Sequence, residues 1–207
     1  MESKWLTWAK KLQAISSTGL HYSENEYDRE RYQDVAMIAQ SMLAELGNLP
    51  IERIEGLLSD FARGYATPKV DVRGAVIHQG QVLLVRERSD GLWTLPGGFA
   101  DIGLSPAENI VKEIWEEARI RVSATTLYSV RHKAKWEYEP DIRDFYKLFF
   151  LCRQLDVGTP TPGSEILDAR YFLPNMLPPL SRGRVIESDI QSAFAFYESA
   201  TPSVSFD

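Results

Sequence analysis

Three glutamates at helical spacing are the residues of this chain best suited to carry out chemistry. Glu113, Glu116 and Glu117 lie at positions i, i+3 and i+4, so a helix would place their carboxylates on one face. Like charges at this spacing destabilise a helix that has no counter-ion. Hard divalent cations such as Mg²⁺ bind oxygen ligands of this kind. The pattern therefore favours a metal site, although a solvated acidic surface would show the same spacing.

The helix that carries these glutamates has clear start signals. Ser105 is the expected N-cap, Pro106 occupies the first helical position, and Glu108 completes a capping box. On a wheel of about 100° per residue, Asn109 falls beside the glutamates. The stripe predicted to be buried consists of Ala107, Ile110, Val111, Ile114 and Ala118.

A glycine turn precedes this helix. The sequence Leu95-Pro96-Gly97-Gly98 places backbone without side chains directly upstream, where the carbonyl oxygen of Gly97 could approach an ion closely. A strand, a glycine turn, a loop and an acidic helix in succession predict a site for phosphate groups and a metal ion.

The segment 98–120 resembles the signature of the Nudix hydrolases, G-x5-E-x7-R-E-U-x-E-E-x-G-U, in which U is aliphatic. The resemblance rests on Glu113, Ile114, Glu116, Glu117 and Ile120. Three positions depart from it: Leu104 stands where the family has glutamate, Lys112 where it has arginine, and Arg119 where it has glycine. Because this last position often requires positive φ, a residue other than glycine there costs about 1 kcal/mol.

A narrower resemblance comes from features outside the glutamates. The helical leader, the linker 65–73, the variant sequence 103–113 and the apolar run 146–152 together resemble the bacterial CDP-choline pyrophosphatases, often named ADP-ribose pyrophosphatases. In that group the leucine and lysine of the signature are usual. The resemblance implies hydrolysis of CDP-choline to CMP and phosphocholine, with ADP-ribose as the alternative substrate and Mg²⁺, or else Mn²⁺, as the cofactor.

The implied reaction assigns a role to each acidic residue. Glu113, Glu116 and Glu117, with the Gly97 carbonyl, would hold metal ions that neutralise phosphate oxygens and lower the pKa of a water. That water would attack phosphorus while a general base within about 3 Å accepts its proton. Glu117 is one candidate base. Glu165, which follows the loop 158–164, is the other, although it could equally be an ordinary exposed loop acid.

Two basic groups are candidates for binding the substrate phosphates. Arg86 and Arg88 follow one predicted strand, whereas Arg131, His132 and Lys133 lie at the end of another. Charges solvated at strand ends would give the same pattern.

Composition limits the classes of function. The 207 residues, 44% of them hydrophobic, suffice for a good core and a small accessory domain. The net charge of −6 and the pI near 5.2 disfavour a general nucleic-acid binder. Cys152 is the only cysteine, so no disulfide can form within the chain. No run of apolar residues approaches the length of roughly 18 that a membrane span requires. We therefore expect a cytoplasmic protein. The family resemblance, and not the composition, implies a nucleotide as its small-molecule substrate.

Residues 1–66 are predicted to form a small all-helical domain. Its acidic balance argues against a DNA-reading module. We expect its apolar faces to pack on the rest of the chain or to form a homodimer, because so short a domain cannot bury them alone. The three predicted apolar stripes are Trp5, Trp8, Leu12 and Ile15; Tyr32, Val35, Ala39, Met42 and Leu46; and Ile51, Ile54, Leu58 and Phe61.

Residues 67–207 are predicted to form the Nudix hydrolase domain. A hairpin is expected around the turn Gln79-Gly80. A mixed sheet with a helix on each face, an α/β/α sandwich, is the expected α/β fold. Strands are predicted at 70–77, 81–87, 121–136, 144–155 and 166–173, and a last helix at 185–199.

Two other classes of function stay open on the sequence. The changes at Leu104 and Arg119 would suit a Nudix-like domain that senses a nucleotide without cutting it. An RNA 5′-end hydrolase is the second alternative, but a long RNA partner should bring a more basic surface than this chain has.

Overall fold

The computed structural model describes residues 2–47 and 65–207, which fall into two units. The first unit takes the chain up to Lys69 together with Glu139–Phe145, and the second contains Val70–Tyr138 and Tyr146–Asp207. No sequence pattern predicted that residues 139–145 belong with the helical leader. The proposed domain boundary between residues 66 and 67 stays a prediction.

Two helices form the described part of the first unit: α1 spans Lys4–Tyr22 and α2 spans Glu26–Gly47. Ser3 caps α1, its hydroxyl accepting a hydrogen bond from the N–H of Leu6 at 3.2 Å. A Cβ on Gly19 would collide with the ring of Tyr32, so the two helices pack closely there. The predicted third stripe, Ile51 to Phe61, lies outside the described residues.

The large apolar residues of α1 stay exposed. Trp5 is 60% exposed, Trp8 49% and Ile15 58%. The residues that α1 buries are smaller or polar: Leu6, Ala9, Gln13, Ser16 and Ser17. The face of α1 that carries the tryptophans is therefore not the face that packs within the described part of this unit.

The second unit is built on an eight-stranded sheet within the described residues. The strands are β1 (Lys69–His78), β2 (Gln81–Glu87), β3 (Trp93–Thr94), β4 (Gly97–Phe99), β5 (Val122–His132), β6 (Phe145–Gln154), β7 (Ile166–Phe172) and β8 (Ser205–Phe206). The main order is β3-β2-β1-β6-β5-β8, with β4 pairing with β1 and β7 with β2. The sheet is mixed, because β8 runs parallel to β5 whereas β2 is antiparallel to β1.

The predicted hairpin is confirmed. Gln79 and Gly80 both have positive φ, 49° and 73°, as a two-residue turn between twisted antiparallel strands requires. The predicted strand 121–136 ends earlier, at His132, and continues as a 3₁₀ turn over Lys133–Lys135. The short strands β3, β4 and β8 had no sequence signal.

A helix covers each face of this sheet. Helix α3 spans Pro106–Ala118 and helix α4 spans Glu187–Glu198. Along β2, Leu83 and Val85 point into the core that contains Ile110 and Ile114 of α3, whereas the alternate residues face α4. The α/β/α sandwich is therefore confirmed. No helix in the described part of the chain is long and apolar enough to span a membrane.

Candidate metal and phosphate site

Helix α3 begins and ends as its sequence predicts. The Ser105 hydroxyl accepts from the N–H of Glu108 at 3.2 Å, and the Glu108 carboxylate accepts from the N–H of Ser105 at 2.8 Å, which completes the capping box. At the other end, Arg119 adopts the left-handed conformation with φ 56° and ψ 25°. The expected positive φ at Arg119 is confirmed.

The buried stripe of α3 differs from the prediction at its start. Ile110, Ile114 and Ala118 are fully buried, but Ala107 is exposed because the first turn of the helix lies at the surface. Asn109 is buried instead. Its side-chain amide donates to the carbonyl of Ser105 at 3.1 Å and accepts from the N–H of Asp101 at 2.8 Å, so it organises the loop that enters the helix.

The glycine turn packs directly against two of the glutamates. The N–H of Gly97 donates to the carboxylate of Glu117 at 2.9 Å. Gly97 has φ 142°, and a Cβ there would collide with the carbonyl oxygen of Val72. A Cβ on Gly98 would lie 3.0 Å from a carboxylate oxygen of Glu113. Gly97 therefore requires glycine, whereas a Cβ at Gly98 would require only that the Glu113 side chain move slightly. A metal contact from the Gly97 carbonyl stays a prediction.

One pocket of about 410 Å³ gathers the acidic residues. It brings Glu165 from the loop before β7 next to the three signature glutamates of α3. The lining residues are Glu113, Glu116, Glu117, Arg119, Ser164, Glu165 and Ile166.

The donor set of this pocket fits a hard divalent cation. In the described part of the chain, no three acidic, histidine or cysteine side chains converge as a ready-made metal cage. Mg²⁺ does not need one, because it usually takes one or two carboxylates and completes its octahedron with waters and substrate phosphates. Glu113, Glu116 and Glu117 supply only oxygen donors in one pocket, so they could hold such an ion together with a phosphorylated substrate.

Burial perturbs the carboxylates of this pocket. It raises the pKa of Glu117 to about 8, against the opposing effects of the Arg73 guanidinium and the Gly97 N–H. Burial also raises the pKa of Glu113, and Arg73 again opposes it. Burial thus disfavours the ionised forms of both carboxylates, and a bound cation would favour them.

Arg73 is a site residue that sequence reasoning missed. It is 5% exposed, pairs with Asp71 at 2.8 Å, and donates to the carbonyl of Leu95 at 3.2 Å at the start of the glycine turn. Lys147 pairs with the other oxygen of Asp71. Asp71 and Arg73 occupy alternate positions in the otherwise apolar strand sequence 70–77. This pattern could have predicted a charged pair that faces inward.

The loop before β7 is held on the C-terminal end of α3. The N–H of Gly163 donates to the carbonyl of Glu117 at 3.0 Å, and the N–H of Thr161 donates to the carbonyl of Ala118 at 2.9 Å. These bonds satisfy helix carbonyls that lack intrahelical partners. A Cβ on Gly163 would collide with the carbonyl oxygen of Glu116, so only glycine permits this approach. The docked loop presents Glu165 to the pocket.

Of the two predicted strand-end arginines, Arg88 lies nearer the pocket. Its N–H donates to the carbonyl of Glu165 at 3.3 Å, and its guanidinium donates to the carbonyl of Ser164 at 3.4 Å. Arg86 is exposed and donates instead to the carbonyl of Gly91 at 2.8 Å.

The second predicted basic group lies elsewhere. Arg131 is 2% exposed and pairs with Asp189 at 2.7 Å, with its guanidinium 3.8 Å from the centre of the Trp136 ring. His132 packs edge-on against Tyr146, and Lys133 is buried in the 3₁₀ turn. Within the described chain, none of these three basic residues lines the pocket.

Gly163→Ala should destabilise the protein, because the added Cβ forces the loop off α3. Loss of two backbone hydrogen bonds and the local strain should lower the free energy of unfolding by about 1–3 kcal/mol. Urea unfolding measures this change. Gly158→Ala is the matched control, since a Cβ there meets only ordinary contact at 3.5 Å from Asp156. Equal stability of the two variants would contradict the docking.

Mg²⁺ binding should release a proton near neutral pH. Because the pKa of Glu117 is raised to about 8 without metal, its carboxyl is mostly protonated at pH 7, and a cation must displace that proton. Affinity should therefore rise with pH up to about 8 and then level off. Calorimetric titration in two buffers of different ionisation enthalpy measures the proton. If the affinity for Mg²⁺ stayed the same between pH 6.5 and pH 8.5, this coupling would be contradicted.

Both regions of the chain match known domain families. Residues 68–190 match the Nudix domain. Residues 3–58 match a domain described as UDP-X-like, N-terminal oligomerisation domain.

Similar proteins carry names from the same chemistry. The Bacillus subtilis protein named putative ADP-ribose pyrophosphatase YjhB is 41% identical over 207 residues, which is all of this chain and 99% of that protein. A crystal structure of a UDP-X diphosphatase is 31% identical over the whole of both chains, with a TM-score of 0.63. An ADP-ribose pyrophosphatase from Streptococcus suis is 36% identical over 68% of this chain and all of that one, with a TM-score of 0.62.

The Nudix match spans more than half of the chain and contains the capped helix, the glycine turn and the acidic pocket. Nudix hydrolases generally use divalent metal ions. The chain therefore belongs to the Nudix hydrolases, as a pyrophosphohydrolase of nucleoside diphosphate-linked substrates that carries an N-terminal helical domain.

Proposed function

We propose that this enzyme hydrolyses CDP-choline to CMP and phosphocholine with Mg²⁺ as its cofactor. The observation that carries hydrolysis is the pocket in which Glu165 joins the three signature glutamates. The choice of CDP-choline rests on the sequence resemblance of the leader, the linker and the variant signature. ADP-ribose is the second candidate, supported by the names of the Bacillus and Streptococcus relatives.

The departures from the signature are compatible with catalysis. Lys112 stands where the family has arginine and pairs with Asp101 at 2.7 Å, with Glu116 at 3.6 Å. Lys112 therefore still connects the loop that enters α3 with the acidic face of the helix. Leu104, in place of the first glutamate, removes one acid from the loop without touching the three acids of the pocket.

Different residues of the pocket have different roles in the proposed reaction. Bound divalent cations would supply charge neutralisation of the diphosphate and activation of a water. Glu113, Glu116 and Glu117 hold the cations, and the Gly97 N–H orients the Glu117 carboxylate. Glu165 accepts the proton of the attacking water as general base. Arg88, beside Glu165, binds a phosphate oxygen of the substrate.

Hydrolysis proceeds as a single displacement at one phosphorus atom. A water oxygen forms a bond to one phosphorus of the diphosphate, and the bond from that phosphorus to the bridging oxygen breaks. The bridging oxygen leaves on the other phosphate, while the water proton passes to Glu165.

A side-by-side assay of CDP-choline, ADP-ribose and a UDP-sugar with Mg²⁺ tests the substrate. We expect kcat/KM for CDP-choline to exceed the other two at least tenfold, with CMP and phosphocholine as products. Preference for ADP-ribose or the UDP-sugar would overturn the choline assignment. Turnover of none of them, with Mg²⁺ or Mn²⁺, would point to another nucleotide or to the sensing alternative.

Glu165→Gln should lower kcat by a factor of about 10²–10⁴, the usual contribution of a general base, while KM and the melting temperature stay close to wild type. Glu117→Gln should nearly abolish turnover and also weaken Mg²⁺ binding, because it removes a proposed ligand. Glu198→Gln, an exposed acid at the end of α4, is the control. A Glu165→Gln variant with wild-type kcat would refute the role of this residue.

A homodimer formed through the helical domain is the partner we propose. The support is the exposed face of α1, with Trp5, Trp8 and Ile15 each about half exposed or more, and the match of residues 3–58 to an oligomerisation domain. An apolar face of this kind is costly to leave in water.

The wild-type protein should sediment as a dimer at micromolar concentration, and the double variant Trp5→Ser, Trp8→Ser should shift it toward monomer. Tyr197→Ser is the control, because Tyr197 is 60% exposed on α4 of the other unit. A wild-type monomer, or an unchanged dimer in the double variant, would count against this interface. A cytoplasmic location and the lack of a nucleic-acid or membrane partner stay predictions.

A further inference from the structure

We propose that Arg119 binds the diphosphate of the substrate. This inference rests on the proposed function, since it assumes that the acidic pocket receives a nucleoside diphosphate linkage. It adds a cationic ligand at the position where the family signature has a glycine.

The charge of the pocket favours a role for Arg119 in binding the diphosphate. Of the residues that line it within the described chain, Arg119 alone is positive, against the carboxylates of Glu113, Glu116, Glu117 and Glu165. A diphosphate that enters among four acids needs positive charge from cations and from the protein. A guanidinium presents two parallel N–H donors to phosphate oxygens, which makes arginine well suited to this contact.

In the described part of the chain, the Arg119 side chain contacts the ring of Trp115. Within the described residues it forms no ion pair, although four carboxylates line the same pocket. Its guanidinium carbon lies 5.8 Å from the centre of the Trp115 ring, on an exposed surface at the end of α3. The charged group is therefore available to a ligand at the pocket edge.

The backbone of Arg119 adopts a conformation that is unfavourable for a residue other than glycine. Its φ of 56° lies in the left-handed region, which glycine adopts without strain. Strain retained at a pocket residue points to a use for its side chain. A purely structural explanation exists, because a cation near a helix C-terminus stabilises the helix dipole. Stability and ligand affinity separate these two explanations.

The position of Arg119 also complements Arg88. Arg88 bonds to the carbonyls of Ser164 and Glu165 from the β2 side, whereas Arg119 lines the pocket from the end of α3. Together they would place a cation on each side of the segment that carries Glu165. The two phosphates of the substrate could then each meet one guanidinium.

The test compares Arg119→Gln, Arg119→Lys and Arg119→Gly with wild type. Steady-state kinetics with the nucleotide that wild type hydrolyses gives KM and kcat. Calorimetry with the α,β-methylene analogues of CDP and ADP in Mg²⁺ gives affinity without turnover, and CMP and AMP serve as monophosphate comparisons. Arg121→Gln is the matched control, since Arg121 is an exposed arginine outside the pocket.

We expect Arg119→Gln and Arg119→Gly to raise KM and the dissociation constant of the methylene analogues about tenfold, with kcat changed less than threefold. Arg119→Lys should recover part of the loss, and the monophosphates should be affected less than the diphosphates. Arg119→Gly should melt no lower than Arg119→Gln, because glycine relieves the positive φ. The control variant should match wild type.

Unchanged KM and analogue affinity in Arg119→Gln would overturn the inference, and a lowered melting temperature alone would assign Arg119 to helix stability. Failure of the proposed function has a different signature. In that case wild type hydrolyses no nucleotide, yet the calorimetric comparison of wild type with Arg119→Gln still decides whether this arginine binds a diphosphate.

Discussion

The hydrogen bonds that converge on Glu117 are the constraint on which the rest of the site depends. Its carboxylate accepts from the N–H of Gly97, and its backbone carbonyl accepts from the N–H of Gly163. The glycine turn, helix α3 and the loop before β7 therefore meet at one residue. Neither glycine tolerates a Cβ, because backbone carbonyl oxygens occupy the space. The close approach of these three segments is what forms a pocket at all.

The close approach of these segments also buries carboxylates, and the fold offsets the electrostatic cost of this burial only in part. Burying Glu117 and Glu113 disfavours their ionised forms, and the raised pKa values are the result. Arg73, buried beneath the glycine turn, opposes this effect, but Asp71 already holds its guanidinium. A bound cation or a cationic side chain would favour the ionised carboxylates, and this effect connects the proposed roles of Mg²⁺, Arg88 and Arg119.

The helical unit poses a separate physical question. Its two described helices pack closely at Gly19, and Trp5 and Trp8 of α1 lie outside the packed face. In this arrangement the internal packing and the exposed apolar face involve different sides of one helix. Such a division would let α1 stabilise its own unit while its exposed face forms the proposed homodimer contact.

The sequence by itself determined the features that depend on neighbouring residues. The cap at Ser105, the positive φ at Arg119 and the hairpin at Gln79-Gly80 follow from local backbone chemistry and were predictable for that reason. The succession of predicted strands and helices along the chain also sufficed to predict the sandwich. Only the tertiary structure decided which charged residues share the pocket, because strand order and loop docking bring together residues distant in the chain. It placed Glu165 beside α3 but enclosed Arg131 with Asp189, a difference that no local pattern encodes.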